Sequence, residues 1–246
     1  MPNPIIILMK RFTLVHYISL ILIVLSFMLQ VVYYADTKQL DSPIIMFEFA
    51  KTENEIFTLF TQDETALIDV VKGVDHQNWV DFFYLTAYSS LLFVTFNRLR
   101  KHENRSLNST GMILSIMVFI FDICENVVLL KITGALVAGS DFKHYIVSLL
   151  VFTNIKWFCL ALMFGILSVH YYKIKRIGIV FSVLSILPIL LAFPSFFSYC
   201  SKYDEYYAYS VMLGFIILII RIFVSKFAEN SYGFYKNYHL KQDFNQ

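Results

Sequence analysis

The sequence predicts an all-α fold, a polytopic membrane bundle of about six transmembrane helices. Hydrophobic residues make up 58% of the 246 residues and charged residues only 15%, whereas soluble domains carry about 25% charged residues. The mean hydropathy is +0.63, and the apolar residues fall in six blocks near the roughly 20 residues that cross a bilayer. The predicted helices cover residues 12–34, 81–96, 111–130, 145–169, 177–199 and 206–224.

Charge placement predicts the orientation of this single transmembrane domain, which spans residues 1–226 and precedes a polar tail at 227–246. Twelve Lys and Arg residues lie on the side of the two termini, and five lie on the opposite side. Because Lys and Arg are enriched in cytoplasmic loops, both termini and the tail are predicted to be cytoplasmic. The formal net charge of +2, without a long basic run, predicts no nucleic-acid partner.

The outer loop between the first two predicted helices, residues 35–80, is acidic and amphipathic. Residues 35–79 hold nine acidic residues and three lysines. Two capping-box patterns, Thr52–Glu55 and Thr61–Glu64, each precede an apolar run, and Gly73 supplies a stop signal after the second. The pattern predicts two short amphipathic helices that either lie on the outer membrane surface or cap the bundle.

The third predicted helix carries polar side chains that are costly in a bilayer. A central carboxylate costs roughly 2.5–3.5 kcal/mol on insertion scales, and each Leu, Ile, Phe or Val returns only about 0.3–0.6. The helix is therefore expected to turn its polar stripe toward the bundle interior. The stripe, at spacings i, i+7, i+10 and i+11, contains Ser115, Asp122, Glu125 and Asn126.

The fourth predicted helix offers a cation at matching depth. Lys156 lies about twelve residues, or roughly 18 Å, from the outer end of its helix, and Asp122 lies about nine residues, or roughly 14 Å, from the outer end of the third. A short connection makes the two helices antiparallel neighbours. The sequence therefore predicts an Asp122–Lys156 ion pair.

Further polar residues are expected above this pair. Asp81 opens the predicted second helix near the outer interface, and Tyr84 and Tyr88 follow on the same face at i+3 and i+7. Glu48 is a lone acid in an apolar stretch of the outer loop. Together with the ion pair, these residues predict a polar cavity that opens toward the outer side.

This set of residues suits acid/base chemistry or a hard cation, but it names no reaction. If a divalent cation such as Mg²⁺ or Ca²⁺ binds, Asp122 and Glu125 are its expected oxygen ligands. No nucleophile motif, His cluster or phosphate-binding loop is found in the sequence, and the three cysteines show no CxxC spacing. No cofactor is therefore identified, and whether the protein is an enzyme stays open.

Four short motifs resemble those of a poorly characterised group of bacterial multi-pass membrane proteins with a D-x-x-E-N transmembrane helix. The motifs are Phe47-Glu48-Phe49-Ala50, Asp81-Phe82 with Tyr88, Asp122-x-x-Glu125-Asn126, and Lys156-Trp157, within residues 40–165. The resemblance implies a bacterial cytoplasmic (inner) membrane protein but no established activity. It also implies that one constellation is formed by Glu48, Asp81, Asp122, Glu125, Asn126 and Lys156.

Three functions remain open from the sequence. The cavity is expected to bind or process a membrane lipid or other small amphiphile. Alternatively, the protein is a small transporter or channel coupled to protons or cations, with Asp122 and Glu125 as the titrating pair and Lys156 as an internal charge. The third alternative is a non-catalytic accessory or assembly protein whose last two helices form an oligomer contact.

Overall fold

A computed structural model describes residues 14–36, 43–61, 67–102, 104–173, 176–197 and 201–243. The regular structure within these ranges is entirely α-helical, which confirms the predicted fold class. Eight helices are described: α1 Leu14–Asp36, α2 Pro43–Glu48, α3 Glu53–Thr61, α4 Leu67–His102, α5 Arg105–Ala138, α6 Lys143–Tyr172, α7 Arg176–Phe197 and α8 Ser201–Asp243. Residues 227–243, which the sequence assigns to a tail, continue α8.

Five of these helices, α4 to α8, are long and apolar enough to cross a membrane. In α1 the corresponding apolar stretch, Leu14–Leu29, is shorter. The bundle also presents large apolar side chains outward, including Phe27, Phe83 and Phe193, which are 68–70% exposed. An apolar outer surface is what helices facing lipid require, since water would not cover it favourably.

The long helices pack in chain order, each against the next, except that α1 packs against α4. The last helix then returns to the first, where the rings of His16 and Phe223 meet edge-on at 5.3 Å. At the turn from α5 to α6, Gly139 adopts a left-handed φ of 63°. Its N–H donates to the Leu136 carbonyl at 3.2 Å, and that of Ser140 donates to Ala135 at 3.0 Å. This Schellman closure ends α5 and lets α6 return alongside it.

Helix α4 differs from the prediction because it runs unbroken through Gly73. The sequence predicted a helix end at Gly73 and a new helix at Asp81, and both boundaries are wrong. A glycine inside a helix costs only about 1 kcal/mol relative to alanine, whereas Val71 and Val74 beside it are 4% and 2% exposed. Their burial against the bundle offsets the cost of the glycine, and Asp81 consequently lies well inside the helix.

The outer loop caps one end of the bundle. The first bond of the predicted capping box is present, because Thr52 Oγ1 accepts the Glu55 N–H at 3.2 Å. The Glu55 carboxylate reaches back to the N–H of Lys51, the residue before the cap, at 2.6 Å. The second pattern runs into residues 62–66, outside the described ranges. The cap packs on the ends of α5 and α6 through a buried apolar cluster that includes Phe47, Ile56, Phe60, Leu129, Ile132 and Leu149.

Close contact between α4 and α5 depends on Gly111. A Cβ added there would lie 2.5 Å from the ring of Phe96, which is fully buried. Gly111→Ala is therefore expected to lower the free energy of unfolding by about 1–3 kcal/mol through overpacking. Gly134→Ala is the matched control on the same helix, because an added Cβ there meets nothing within 4 Å. Thermal melting in mild detergent should show Gly134→Ala unchanged or stabilised, and equal melting of both variants would contradict the prediction.

Candidate polar site

Lys156 forms the centre of a buried ionic cluster. Its Nζ lies 3.0 Å from Glu48 Oε2 and 3.2 Å from Asp122 Oδ1, and it also contacts Glu125 Oε2. The predicted Asp122–Lys156 ion pair is therefore present, within a larger group. An ammonium carries three N–H donors, so three carboxylates can satisfy it completely. Lys156 itself is only 4% exposed.

Each of the three carboxylates also has a second, neutral donor. The Tyr88 hydroxyl donates to Asp122 Oδ2. The indole N–H of Trp157 donates to Glu48 Oε2 at 3.1 Å, and the Thr153 hydroxyl donates to Glu125 Oε1 at 2.6 Å. The acids are thus fixed in position by groups from α4 and α6.

Asn126 connects the fourth acid, Asp81, to the same region. Its side-chain amide donates to Asp81 Oδ2 at 2.8 Å, and its backbone carbonyl accepts the Asn78 amide at 3.0 Å. These bonds join α4 to α5 at the depth of the cluster. In the part of the chain that the structure describes, Asp81 forms no ion pair with a Lys, Arg or His side chain.

The cluster is rich in acid. Four carboxyl groups lie around one ammonium, which contacts three of them directly, and unpaired buried charges are costly by several kcal/mol each. Burial raises the pKa of the Glu48 carboxyl above its usual value, and the nearby Lys156 ammonium opposes this shift only in part. The site is therefore suited to taking up protons or a cationic group.

A cavity of about 280 Å³ lies beside the cluster. Four helices, α1, α2, α6 and α8, contribute apolar side chains to its wall: Leu29, Ile44, Ile45, Leu160, Val211, Met212 and Phe215. The rest of its lining is polar or carries a polar group: Ser26, Glu48, Gln77, Asp81, Tyr84, Tyr88, Asp122, Lys156 and Trp157. Glu125 and Asn126, both 0% exposed, support the site from behind this wall.

The structure brings together the six predicted members of the constellation, but not every supporting residue. Tyr84 and Tyr88 line the cavity as well. Ser115 belongs elsewhere, since its hydroxyl donates to the Gly111 carbonyl at 2.8 Å and contacts Met163 Sδ at 3.3 Å. Two helical turns separate Ser115 from Asp122. The two residues lie on the same face of α5, but Ser115 is too far along the helix to reach the cluster.

Sequence reasoning missed several residues of the site. Gln77 and Asn78 were assigned to the outer loop, because the predicted second helix began only at Asp81. Thr153 lies one turn before Lys156 on the same face, a spacing that could have revealed it. The contribution of the last helix to the site was also missed: Phe215 packs edge-on against Tyr88 with ring centroids 5.4 Å apart.

The predicted metal ligands Asp122 and Glu125 both contact the Lys156 ammonium. Across the described ranges, no group of three or more His, Cys, Asp or Glu side chains is arranged to hold a metal ion. A divalent cation here stays a prediction.

Comparisons with known proteins place the chain in no family. No protein-family model, no curated protein and no solved structure matches it. Helical bundles serve many unrelated functions, so the fold alone gives no activity. Function is therefore inferred from the geometry of the cluster and the cavity.

Proposed function

We propose that the cavity binds a membrane lipid or another small amphiphile, with its polar head group at the acidic cluster. The observation that carries this proposal is the two-sided lining, apolar from four helices and polar from the cluster. Ligand cavities are typically lined by apolar and aromatic side chains with a few convergent polar groups. At about 280 Å³, the cavity suits a head group and the first part of an alkyl chain.

We infer that the cavity opens laterally between α1 and α8, because side chains of both helices line it. The two helices meet at His16 and Phe223, about ten residues, or roughly 15 Å, from where Ser26 and Met212 line the cavity. Both of these rim side chains are exposed among the residues described. An alkyl chain could leave through this opening and lie along the apolar outer surface of the bundle.

The Lys and Arg asymmetry supports an orientation with both termini cytoplasmic, and the resemblance of the four motifs is what suggests a bacterial cytoplasmic (inner) membrane. In that orientation α2, α3 and the cavity face the outer half of the bilayer. Glu48 and Asp122 line the cavity, so they could orient a head group or exchange a proton with it.

A second candidate function is a small transporter coupled to protons or cations. The site favours this function because it holds four carboxyl groups and one ammonium, and such carboxyl groups take up and release protons or cations. Proteoliposomes would measure this directly, since Glu125→Gln should abolish proton-coupled flux. Flux that the substitution leaves unchanged would remove this candidate.

Native mass spectrometry of the protein extracted in mild detergent tests the lipid proposal. Met212→Trp should block the rim and lower lipid occupancy by about tenfold or more, which corresponds to roughly 1.4 kcal/mol. Ile216→Trp is the matched control, because Ile216 lies one turn further on α8, is 54% exposed and is not part of the lining.

The wild type and Ile216→Trp should carry the same lipid, and Met212→Trp should not. A wild type without bound lipid, or with occupancy that Met212→Trp leaves unchanged, would contradict the proposal. An accessory or assembly role would then explain the bundle better.

A further inference from the structure

Gln77 is a buried amide that faces the cavity without a partner. It is 2% exposed, and neither its Nε2 nor its Oε1 has a hydrogen-bond partner in the described part of the protein. A buried polar group without a partner destabilises the folded protein, because it has lost its hydrogen bonds to water. Because Gln77 lines the cavity, a ligand head group is well placed to satisfy it.

Asp81 lies one helical turn from Gln77 and also lines the cavity. Glu48, Asp122 and Glu125 all contact Lys156, whereas the contact that fixes Asp81 is the neutral amide of Asn126 at 2.8 Å. Among the described residues, Asp81 is thus the acid of this site that makes no direct contact with the Lys156 ammonium.

Two aromatic rings extend this face of α4. Residues 77, 81, 84 and 88 follow a spacing of four, three and four, which places them along one side of a helix. The rings of Tyr84 and Tyr88 lie with their centroids 5.5 Å apart, and both line the cavity. Aromatic faces attract ammonium groups within about 6 Å.

The charges of the site discriminate between head groups. A phosphate or carboxylate entering the cavity would meet Glu48, Asp81 and Asp122. The cation that the described lining supplies, Lys156, is already bound by three carboxylates. A neutral head group would leave Asp81 without a cation in direct contact. A cationic head group removes both difficulties.

We propose that the cavity selects an amphiphile with an ammonium head group, which binds between the Asp81 carboxylate and the Gln77 amide. This inference rests on the proposed lipid-binding function and narrows its ligand to one class. The ammonium would donate to Asp81 and to Gln77 Oε1 beside the tyrosine rings, and the alkyl chain would leave between α1 and α8.

The test compares three probes of equal chain length: dodecylamine, dodecanol and dodecanoic acid. At about one hundred times its Kd, dodecylamine should raise the Tm of the purified protein in neutral detergent by about 5–10 °C. Dodecanoic acid should give no rise, and dodecanol should give a smaller one. Asp81→Asn should abolish the preference for dodecylamine over dodecanol.

Two further variants separate binding from folding. Asp69→Asn is the matched control on α4, with a side chain that is 75% exposed, and it should keep the full response to dodecylamine. Gln77→Met keeps the side-chain length but removes the amide, so it should raise the Tm of the free protein and reduce the response to dodecylamine.

The outcomes distinguish this inference from the function on which it rests. Equal Tm rises with dodecylamine and dodecanol, unchanged by Asp81→Asn, would overturn the ammonium selectivity while leaving lipid binding intact. A rise with MgCl₂ but not dodecylamine, lost in Asp81→Asn, would overturn it in favour of a metal ion. No rise with any probe would also overturn it, and lipid occupancy in Met212→Trp would then decide the proposed function separately.

Discussion

Lys156→Met is expected to lower the free energy of unfolding by about 3–5 kcal/mol, the usual cost of removing one partner from a buried ion pair. The substitution keeps the aliphatic stem but leaves Glu48, Asp122 and Glu125 without the ammonium that contacts all three. Their neutral donors, Tyr88 among them, cannot supply the missing charge. The carboxyl groups must then take up protons or be exposed to water, and either change disfavours the native packing.

Thermal unfolding in mild detergent measures this effect, with an expected Tm decrease of roughly 6–20 °C. The matched control is Lys143→Met, because Lys143 lies at the exposed start of the same helix; its effect should stay within about 0.5 kcal/mol. The double variant Lys156→Met/Asp122→Asn should recover part of the loss, since it removes one of the unpaired acids. If Lys156→Met lowers the free energy of unfolding by less than about 1 kcal/mol, the buried carboxyl groups do not need the ammonium to compensate their charge.

Phe47→Ala is expected to cost about 3–5 kcal/mol, the range found when a buried phenylalanine is truncated. The ring is fully buried and packs edge-on against Phe60 with centroids 5.1 Å apart. It anchors α2 to the end of the bundle immediately before Glu48, the residue that reaches Lys156. The substitution should therefore loosen the cap and the ionic cluster together.

Met46→Ala on the same short helix is the control for Phe47→Ala, because Met46 is 37% exposed. The control should lose no more than about 1 kcal/mol. Limited proteolysis adds a second measurement, since a loosened cap should be cut earlier than in the control. Equal melting and equal cleavage of the two variants would show that α2 is held by other contacts.

The sequence by itself determined the helical class of this protein and the centre of its polar site. Scarce charges and long apolar blocks leave helices as the structures that satisfy their own backbone groups in lipid. Asp122 and Lys156 could be paired from the sequence, because the rise per residue is constant and a short connection fixes the two helices side by side. The high cost of each buried charge made both residues conspicuous.

Only the tertiary structure decided which residues complete the site. The continuity of α4 through Gly73 depends on burial of Val71 and Val74 against segments distant in the sequence. This burial outweighs the low helix propensity of glycine, which costs about 1 kcal/mol relative to alanine. That continuity places Gln77 in the cavity wall. Phe215 on α8 comes from the end of the chain, and no local pattern predicts its contact with Tyr88. Spacing along one helix fixes depth and face, whereas contacts between helices depend on how all of their side chains pack together.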